Sequence, residues 1–392
     1  MLLGRYYEGL ELHSEDKMVL AKFISPHAVL STSRALGGYR EDLEYIFNHQ
    51  ACEPTGHGHG KTLRGFSDPL GYQADICAKR ALPPDRCASL STAANTRLVA
   101  VEAESFRDLT VVAAVTGGVE GNAGRAGDPA TGHEGPNGYE SLARAGAPGH
   151  GTINTLLFCN LPLTPGALVR AVMMATEAKT AALQERLVNS RYSPTLATGT
   201  GTDQIGVAAK AVADYPPLTS AGKHSKLGEL IGRTVKTATQ KVLVRQNGMT
   251  PDRQCSVKIL LERFFERDGY YRASLREFAA FVAQRAEGEA RKLIAENSRP
   301  LFHDPVTVAA VSAMVHLKDE FSWGILPPLT WNEVMATQAA LVAAAVSGAY
   351  ANIPLYREKF LELGAPPTDA GFLDLAARAL VTGFADKWES DV

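Results

Sequence analysis

Residues 108–118, DLTVVAAVTGG, residues 151–160, GTINTLLFCN, and residues 199–208, GTGTDQIGVA, share one construction. Each couples an apolar, β-rich run to small polar residues and glycine. Thr116-Gly117-Gly118 closes the first run, Asn160 closes the second, and Thr200-Gly201-Thr202-Asp203 opens the third. Apolar β-rich runs lie in sheets, and glycine at their ends lets backbone N–H and C=O groups approach a ligand closely. Three such runs predict one site assembled from several strand ends.

Working outward, RLVAVEAES and LTVVAAVTG (residues 97–117) flank Phe106-Arg107-Asp108 and read as a hairpin. MVLAKFI and AVLSTSR (residues 18–34), on either side of Ser25-Pro26-His27, read as a second. YREDLEYIFNHQ reads as a short helix, and residues 51–95 assign to no clear element. Residues 117–151, with many glycines and with Pro129 and Pro136, read as a long loop of the kind that often carries function. Thr164-Pro165 supplies the cap and first-turn proline of a helix to about Leu187. Leu227, Leu230, Ile231, Val235 and Val242 mark the apolar face of another over residues 226–244. Two hairpins among few helices predict an α+β domain with a largely antiparallel sheet and flanking helices. Beyond Asn247-Gly248 the remaining segments read as helices. The expected organisation is an α+β domain over 1–247 and an all-α bundle over 248–392 that serves assembly or stability. Its broad apolar faces, as in LVAAAV and FAAFVA, allow for a homo-oligomer.

Composition excludes several classes. The chain has 392 residues, 45% hydrophobic and 21% charged, with a net charge of -2, so it carries no general basic footprint for nucleic acid. No apolar run reaches the roughly 18 residues of a membrane span. The N-terminal MLLGRYYEGLELHSEDK is polar, lacks a signal-peptide core and reads as cytoplasmic. Five scattered cysteines argue against a disulfide framework.

Among candidate motifs, Thr55-Gly56-His57-Gly58-His59-Gly60-Lys61-Thr62 ends like a phosphate-binding loop, but threonine stands where the motif needs glycine, and Cys52-Glu53-Pro54 replaces the buried strand. Cys52, His57 and His59 match no zinc spacing, so no metal ligand is assigned. No G-x-S-x-G elbow is present, and Ser31 and Ser33 are expected to bond backbone. Asp203 is the leading general acid/base candidate, with Thr202 positioning water or substrate. The alternative is a turn in which Asp203 caps local N–H groups. Glu177 is the reserve catalytic acid; it and Lys179 stand two apart on one helix and so face different ways. Asn122 and Asn154 suit an amide-rich ligand. Thr116, Gly117, Thr200, Gly201 and His224 complete the expected substrate-binding set, and as catalytic candidates His150 and His224 rank below Glu177.

The ordered series VLSTSRALGG, CASLSTAANT, VVAAVTGGVEGNAGRAGD, GTINTLLFCN, ATEAKTAAL, GTGTDQIGVA and AGKHSKLGELIGRTV resembles the adenosylcobinamide amidohydrolase family of corrinoid salvage, over about residues 18–245. The resemblance implies hydrolysis of the amide joining aminopropanol to the corrin ring, giving adenosylcobyric acid. It implies no catalytic residues. The insert at 128–150 is longer than the family pattern requires. A corrinoid is a broad macrocycle edged with primary amides, and neutral Gly, Asn and Thr at strand ends suit its rim. The D-x-H-x-x-G pattern, one way of placing histidine on cobalt, is absent. The corrinoid is therefore expected as substrate, with no cofactor. A non-catalytic corrinoid-binding protein is the alternative.

Overall fold

A computed structural model describes residues 1–51, 65, 67–136, 138–142, 149, 151–213, 215–296 and 298–389. The glycine–histidine stretch from Cys52 to Thr62, with its phosphate-loop and metal readings, lies outside the described residues, as does His150.

The first sheet comprises β1 (Leu2–Tyr6), β2 (Leu10–Glu15), β3 (Met18–Phe23), β6 (Tyr45–Gln50) and β7 (Cys87–Thr92), in that order across the sheet. The second runs β5 (Gly38–Arg40), β4 (His27–Ser31), β15 (Gln204–Lys210), β13 (Thr152–Cys159), β9 (Leu109–Gly118) and β8 (Ala100–Phe106). Neighbours are antiparallel except β6–β7 and β13–β15, which are parallel. Small ladders join β10 (Ala123–Gly124) to β14 (Gly199–Thr200) and β11 (Gly132–Gly135) to β12 (Gly138–Ser141). Helix α1 is Pro69–Ala78, α2 is Pro165–Glu185 and α3 is Lys226–Asn247.

Alternation along the strands builds four layers. On β13, Leu156 and Phe158 meet Val112 and Ala114 of β9, Leu10, Leu12, Val19 and Ala21 of the first sheet, and Ala208 of β15 in the core between the sheets. The intervening Leu157 and Cys159 face the other way, packing with Val111, Ala113 and Val207 against α2 and α3. Met18, Leu20 and Phe47 on the outer face of the first sheet pack on Ile76 and Cys77 of α1. The order is helix, sheet, sheet, helices. Phe158 is fully buried between the sheets; truncation of such a side chain to alanine costs about 3–5 kcal/mol. Helices α2 and α3 begin where hydroxyls cap them: Thr164 accepts from Ala167 N and Ser225 from Gly228 N. Gly248, in the left-handed region, ends α3.

The antiparallel-rich α+β sheet architecture and the helical C-terminal region match the expected fold class, and β8–β9 form the expected hairpin. Three local readings are corrected. β3 and β4 are not a hairpin: β3 pairs with β2 and β6, and β4 with β5 and β15, because Ser25-Pro26 carries the chain from one sheet to the other. Residues 39–50 are not a helix. They form β5 and β6, since Ile46 and Phe47 find burial on opposite faces of the first sheet, which overrides local propensity. The stretch 117–151 is not wholly loop but contributes β10 and the β11–β12 hairpin.

The chain forms two compact units. The first holds residues 1–127, 148–188 and 196–249, and contains both large sheets. The second holds 128–147, 189–195 and 250–392. Its helices include Leu275–Ala283, Pro305–Ser322, Trp331–Ser347, Ile353–Leu363 and Asp369–Glu389, and a two-residue ladder joins Glu266–Arg267 to Tyr270–Tyr271. In this unit, Ser190 donates to Asp128 at 2.6 Å, and Asn189 to Glu262 at 3.1 Å and to Ile259 O at 2.7 Å. Among the described residues, no helix is long and apolar enough to cross a membrane.

Candidate active site

The parallel pairing of β13 with β15 brings their N-terminal ends side by side, and antiparallel β9 delivers its C-terminal end to the same place, with Thr152 opposite Gly118. The glycine–threonine ends of the three runs therefore meet.

Asp203 lies at the centre of this meeting. Oδ1 accepts from Ile153 N at 2.8 Å and from Thr200 Oγ1 at 2.5 Å. Oδ2 accepts from Thr200 N at 3.0 Å and from Lys179 Nζ, which forms an ion pair with it. A carboxylate has about four acceptor sites, and all four are engaged. Lys179, two residues from Glu177 on the same helix, reaches inward from α2 and is 13% exposed. Gly199 makes room for the pair: a Cβ there would stand 2.6 Å from Asp203 Oδ2 and 2.9 Å from Lys179 Nζ.

Above this carboxylate is a chain of hydroxyls. Thr152 Oγ1 and Thr202 Oγ1 are 2.6 Å apart, and Thr202 Oγ1 donates to Gly151 O at 2.9 Å. Asn122 Nδ2 donates to the same carbonyl oxygen at 3.1 Å. Thr202 is exposed, Asn122 half-buried and Thr152 buried.

Towards the inter-sheet layer the network continues in amides. Asn154 Nδ2 donates to Asn48 Oδ1 and to Ser91 O, both at 2.8 Å, while its Oδ1 accepts from Gln204 N at 3.0 Å. Asn48 Nδ2 donates to Thr116 Oγ1 at 2.7 Å, and Gln204 Oε1 accepts from Ser91 N at 2.8 Å. Thr116, Asn154 and Asn48 are buried, so Asn154 and Thr116 serve to tie the two sheets together beside the hydroxyl cluster. Gly117 faces the helices instead, where a Cβ would come 3.1 Å from Val242 Cγ1.

The structure thus brings together Thr116, Asn122, Asn154, Thr200, Gly201, Thr202 and Asp203. Gly201 lies against Asn122: a Cβ there would be 3.4 Å from both amide heteroatoms. Glu177 and His224 belong elsewhere. Glu177, half-exposed, pairs with Lys223 at 2.8 Å. Both line a separate cavity of about 500 Å³ with Arg170, Met173, Met174 and His224. Sequence reasoning passed over Thr152, Lys179, Asn48, Ser91 and Gln204. Thr152 and Gln204 lay inside quoted runs, whereas Asn48 and Ser91 are visible only once the first sheet is placed. Cys159, on the same strand as Thr152, offers no competing nucleophile: burial pushes its thiol up to about 12. Among the described residues, no three His, Cys, Asp or Glu side chains converge as a metal site.

The two-sheet unit and its hydroxyl–amide cluster coincide with a family match. Residues 3–251 match the adenosylcobinamide amidohydrolase family, and the chain belongs to that family. The uncharacterized protein MJ1613 of Methanocaldococcus jannaschii is 34% identical over 238 residues, covering 59% of this chain and 88% of that protein. Among solved structures, the PH0078 protein from Pyrococcus horikoshii OT3 is similar over 60% of this chain and 83% of its own, with a TM-score of 0.30 and 12% identity. The L-aminopeptidase D-Ala-esterase/amidase from Ochrobactrum anthropi is similar over 61% and 83%, with a TM-score of 0.29 and 12% identity.

Proposed function

We propose that this protein hydrolyses the amide between aminopropanol and the corrin ring of adenosylcobinamide, releasing adenosylcobyric acid, without a metal. The observation that supports this reading is the convergence of Asn122, Thr152, Thr202 and Asp203 at the exposed end of β13 and β15, inside the family match. Amide hydrolysis needs a nucleophile, such as water or a side-chain hydroxyl, a path for its proton and donors for the oxyanion. The threonine pair offers the first two and Asn122 a donor. Asp203, expected from sequence as general acid/base, has every acceptor site filled, and abstracting a proton would displace a donor. Its role in this reading is positioning: with Lys179 it fixes the 200–203 turn that presents Thr202. The amide groups of Asn122 and Gln204 suit the amide rim of a corrinoid. The helical region after Gly248 supports stability or assembly in this scheme.

The test is incubation of purified protein with adenosylcobinamide, followed by mass spectrometry of the corrinoid product. Adenosylcobyric acid formed in the presence of a chelator is the expected result. Folded protein that binds the corrinoid and releases no acid makes the chain a corrinoid-binding protein instead. Activity lost with chelator and restored by a metal defeats the metal-free clause.

A further inference from the structure

We infer that the chain cuts its own backbone between Gly151 and Thr152, and that the freed Thr152 is the working nucleophile. The inference stands on the geometry of one peptide group and needs no assumption about the corrinoid.

Gly151 O is gripped by two side-chain donors, Thr202 Oγ1 at 2.9 Å and Asn122 Nδ2 at 3.1 Å. Satisfying a carbonyl takes one donor; two converging neutral donors resemble the arrangement that stabilises an oxyanion. A hydroxyl carries one proton, and that of Thr202 is committed to Gly151 O. In the 2.6 Å contact between the threonines, Thr152 is therefore the donor. The resulting order is Thr152 O–H to Thr202 Oγ1, and Thr202 O–H to Gly151 O. It is a proton path from a hydroxyl to the carbonyl that this same hydroxyl reaches through a five-membered ring. Holding both groups in one residue pair supplies the proximity that such attack requires. Glycine is needed before the threonine, because a Cβ at 151 would stand 2.6 Å from Gly118 O and 3.3 Å from Asn122 Cβ.

The reaction balances with water as the only co-reactant. Thr152 Oγ1 bonds to the Gly151 carbonyl carbon, its proton passes to Thr202, and the proton of Thr202 passes to the Gly151 oxygen. The ring intermediate collapses: the C=O bond re-forms, the C–N bond to Thr152 breaks, and the hydroxyl proton moves to the nitrogen. The product is an ester between Gly151 and the Thr152 side chain. Water adds to that ester and the C–O bond breaks, leaving Gly151 as a carboxylate and Thr152 with its hydroxyl restored and a free α-amine. An α-amine titrates near pH 8, about right to take the proton of its own hydroxyl during later attack on an amide. The cut would not release the pieces, since β13 stays paired along its length with β9.

The experiment is intact-mass spectrometry of the purified full chain under denaturing conditions, with N-terminal sequencing and no corrinoid added. Expected are two polypeptides, residues 1–151 and 152–392, whose summed mass exceeds the uncut chain by one water. Thr152→Ser cuts and Thr152→Ala does not. Thr202→Val and Asn122→Ala slow the cut by about 100-fold or more. A folded wild-type chain that remains one polypeptide overturns the inference, as does Thr152→Ala cut at the same bond. If Thr152→Ala fails to fold by circular dichroism, the wild-type mass and the rates of Thr202→Val and Asn122→Ala decide. An uncut chain that still forms adenosylcobyric acid refutes this inference alone; a cut chain without turnover refutes the substrate assignment alone.

Discussion

At the exposed end of β13 and β15, a hydroxyl and an amide converge on one carbonyl; in the helical unit, buried charges are paired with one another. Arg263 is 5% exposed and donates to Asp319 at 2.6 Å. Glu262, also 5% exposed, meets Lys258, Arg191 and Asn189, and Lys318 pairs with Asp369 at 2.9 Å. Both regions satisfy buried polar groups, as folded proteins must. In the helical unit those ion pairs close on fixed partners. In the sheet unit the Lys179–Asp203 pair is equally closed, but it supports an exposed threonine and a doubly bonded carbonyl. A polar cluster becomes a chemical site when its donors converge on a reactive atom, rather than when it holds the most charge.

The strongest way to break this contrast is to disturb the support under the hydroxyls. Asp203→Asn loses the ion pair to Lys179 and puts an amide N–H₂ where donors arrive. It is expected to lower kcat by about 100-fold through misplacement of Thr202. Lys179→Met should do the same, and the pH profile of the residual activity should keep its shape. A lost limb of that profile in Asp203→Asn would restore the carboxylate to acid/base duty.

In the helical unit, Arg263→Met strands the Asp319 carboxylate. About 3–5 kcal/mol of stability should be lost, measured by chemical denaturation, with turnover per folded molecule unchanged. A folded Arg263→Met protein with impaired kcat would show that the charge network does more than pack.

A third test uses a buried group in the sheet unit that stands outside the site. His27 stacks on Phe23 at 4.4 Å, and its Nδ1 bonds Ser25 O at 2.8 Å. Burial lowers its pKa from 6.5 to about 4. The folded state thus favours the neutral ring. Its contribution is complete above about pH 6.5 and is lost as pH falls through 4, about 3 kcal/mol in all. Denaturation between pH 7 and 4 should show this loss in the wild type, and His27→Phe should flatten it. An unchanged acid limb in the variant would assign the loss to other groups.

The smallest effects sharpen the contrast within the site itself. Gly199→Ala drives a methyl against the Asp203–Lys179 pair and should cost about 1–3 kcal/mol by thermal melt. Gly201→Ala meets Asn122 first, at an ordinary 3.4 Å, and should leave stability nearly unchanged. Equal losses would mean that the 199–203 turn, rather than the ion pair, sets the tolerance.

How much of this was readable beforehand follows from the range of the interactions. The apolar runs at 109–117 and 151–159, the proline and threonine at the start of α2 and the apolar stripe of α3 are local patterns, and they determined the elements and the antiparallel-rich class, while the ordered series of motifs carried the family. The motif 199–203 was legible as a candidate site because its small polar residues stand on a turn. Pairing was not legible. That β3 and β4 part into different sheets, that β6 is a strand, and that Lys179 turns inward while Glu177 turns out to Lys223 all depend on what lies across the layer. The same holds for Asp203: a carboxylate's neighbours decide whether it can move a proton, and its four donors come from residues 153, 179 and 200. Sequence determines which groups are available, because side-chain chemistry is local; only the tertiary structure decides which of them are already spent on one another, because hydrogen bonds form between atoms that the chain alone leaves far apart.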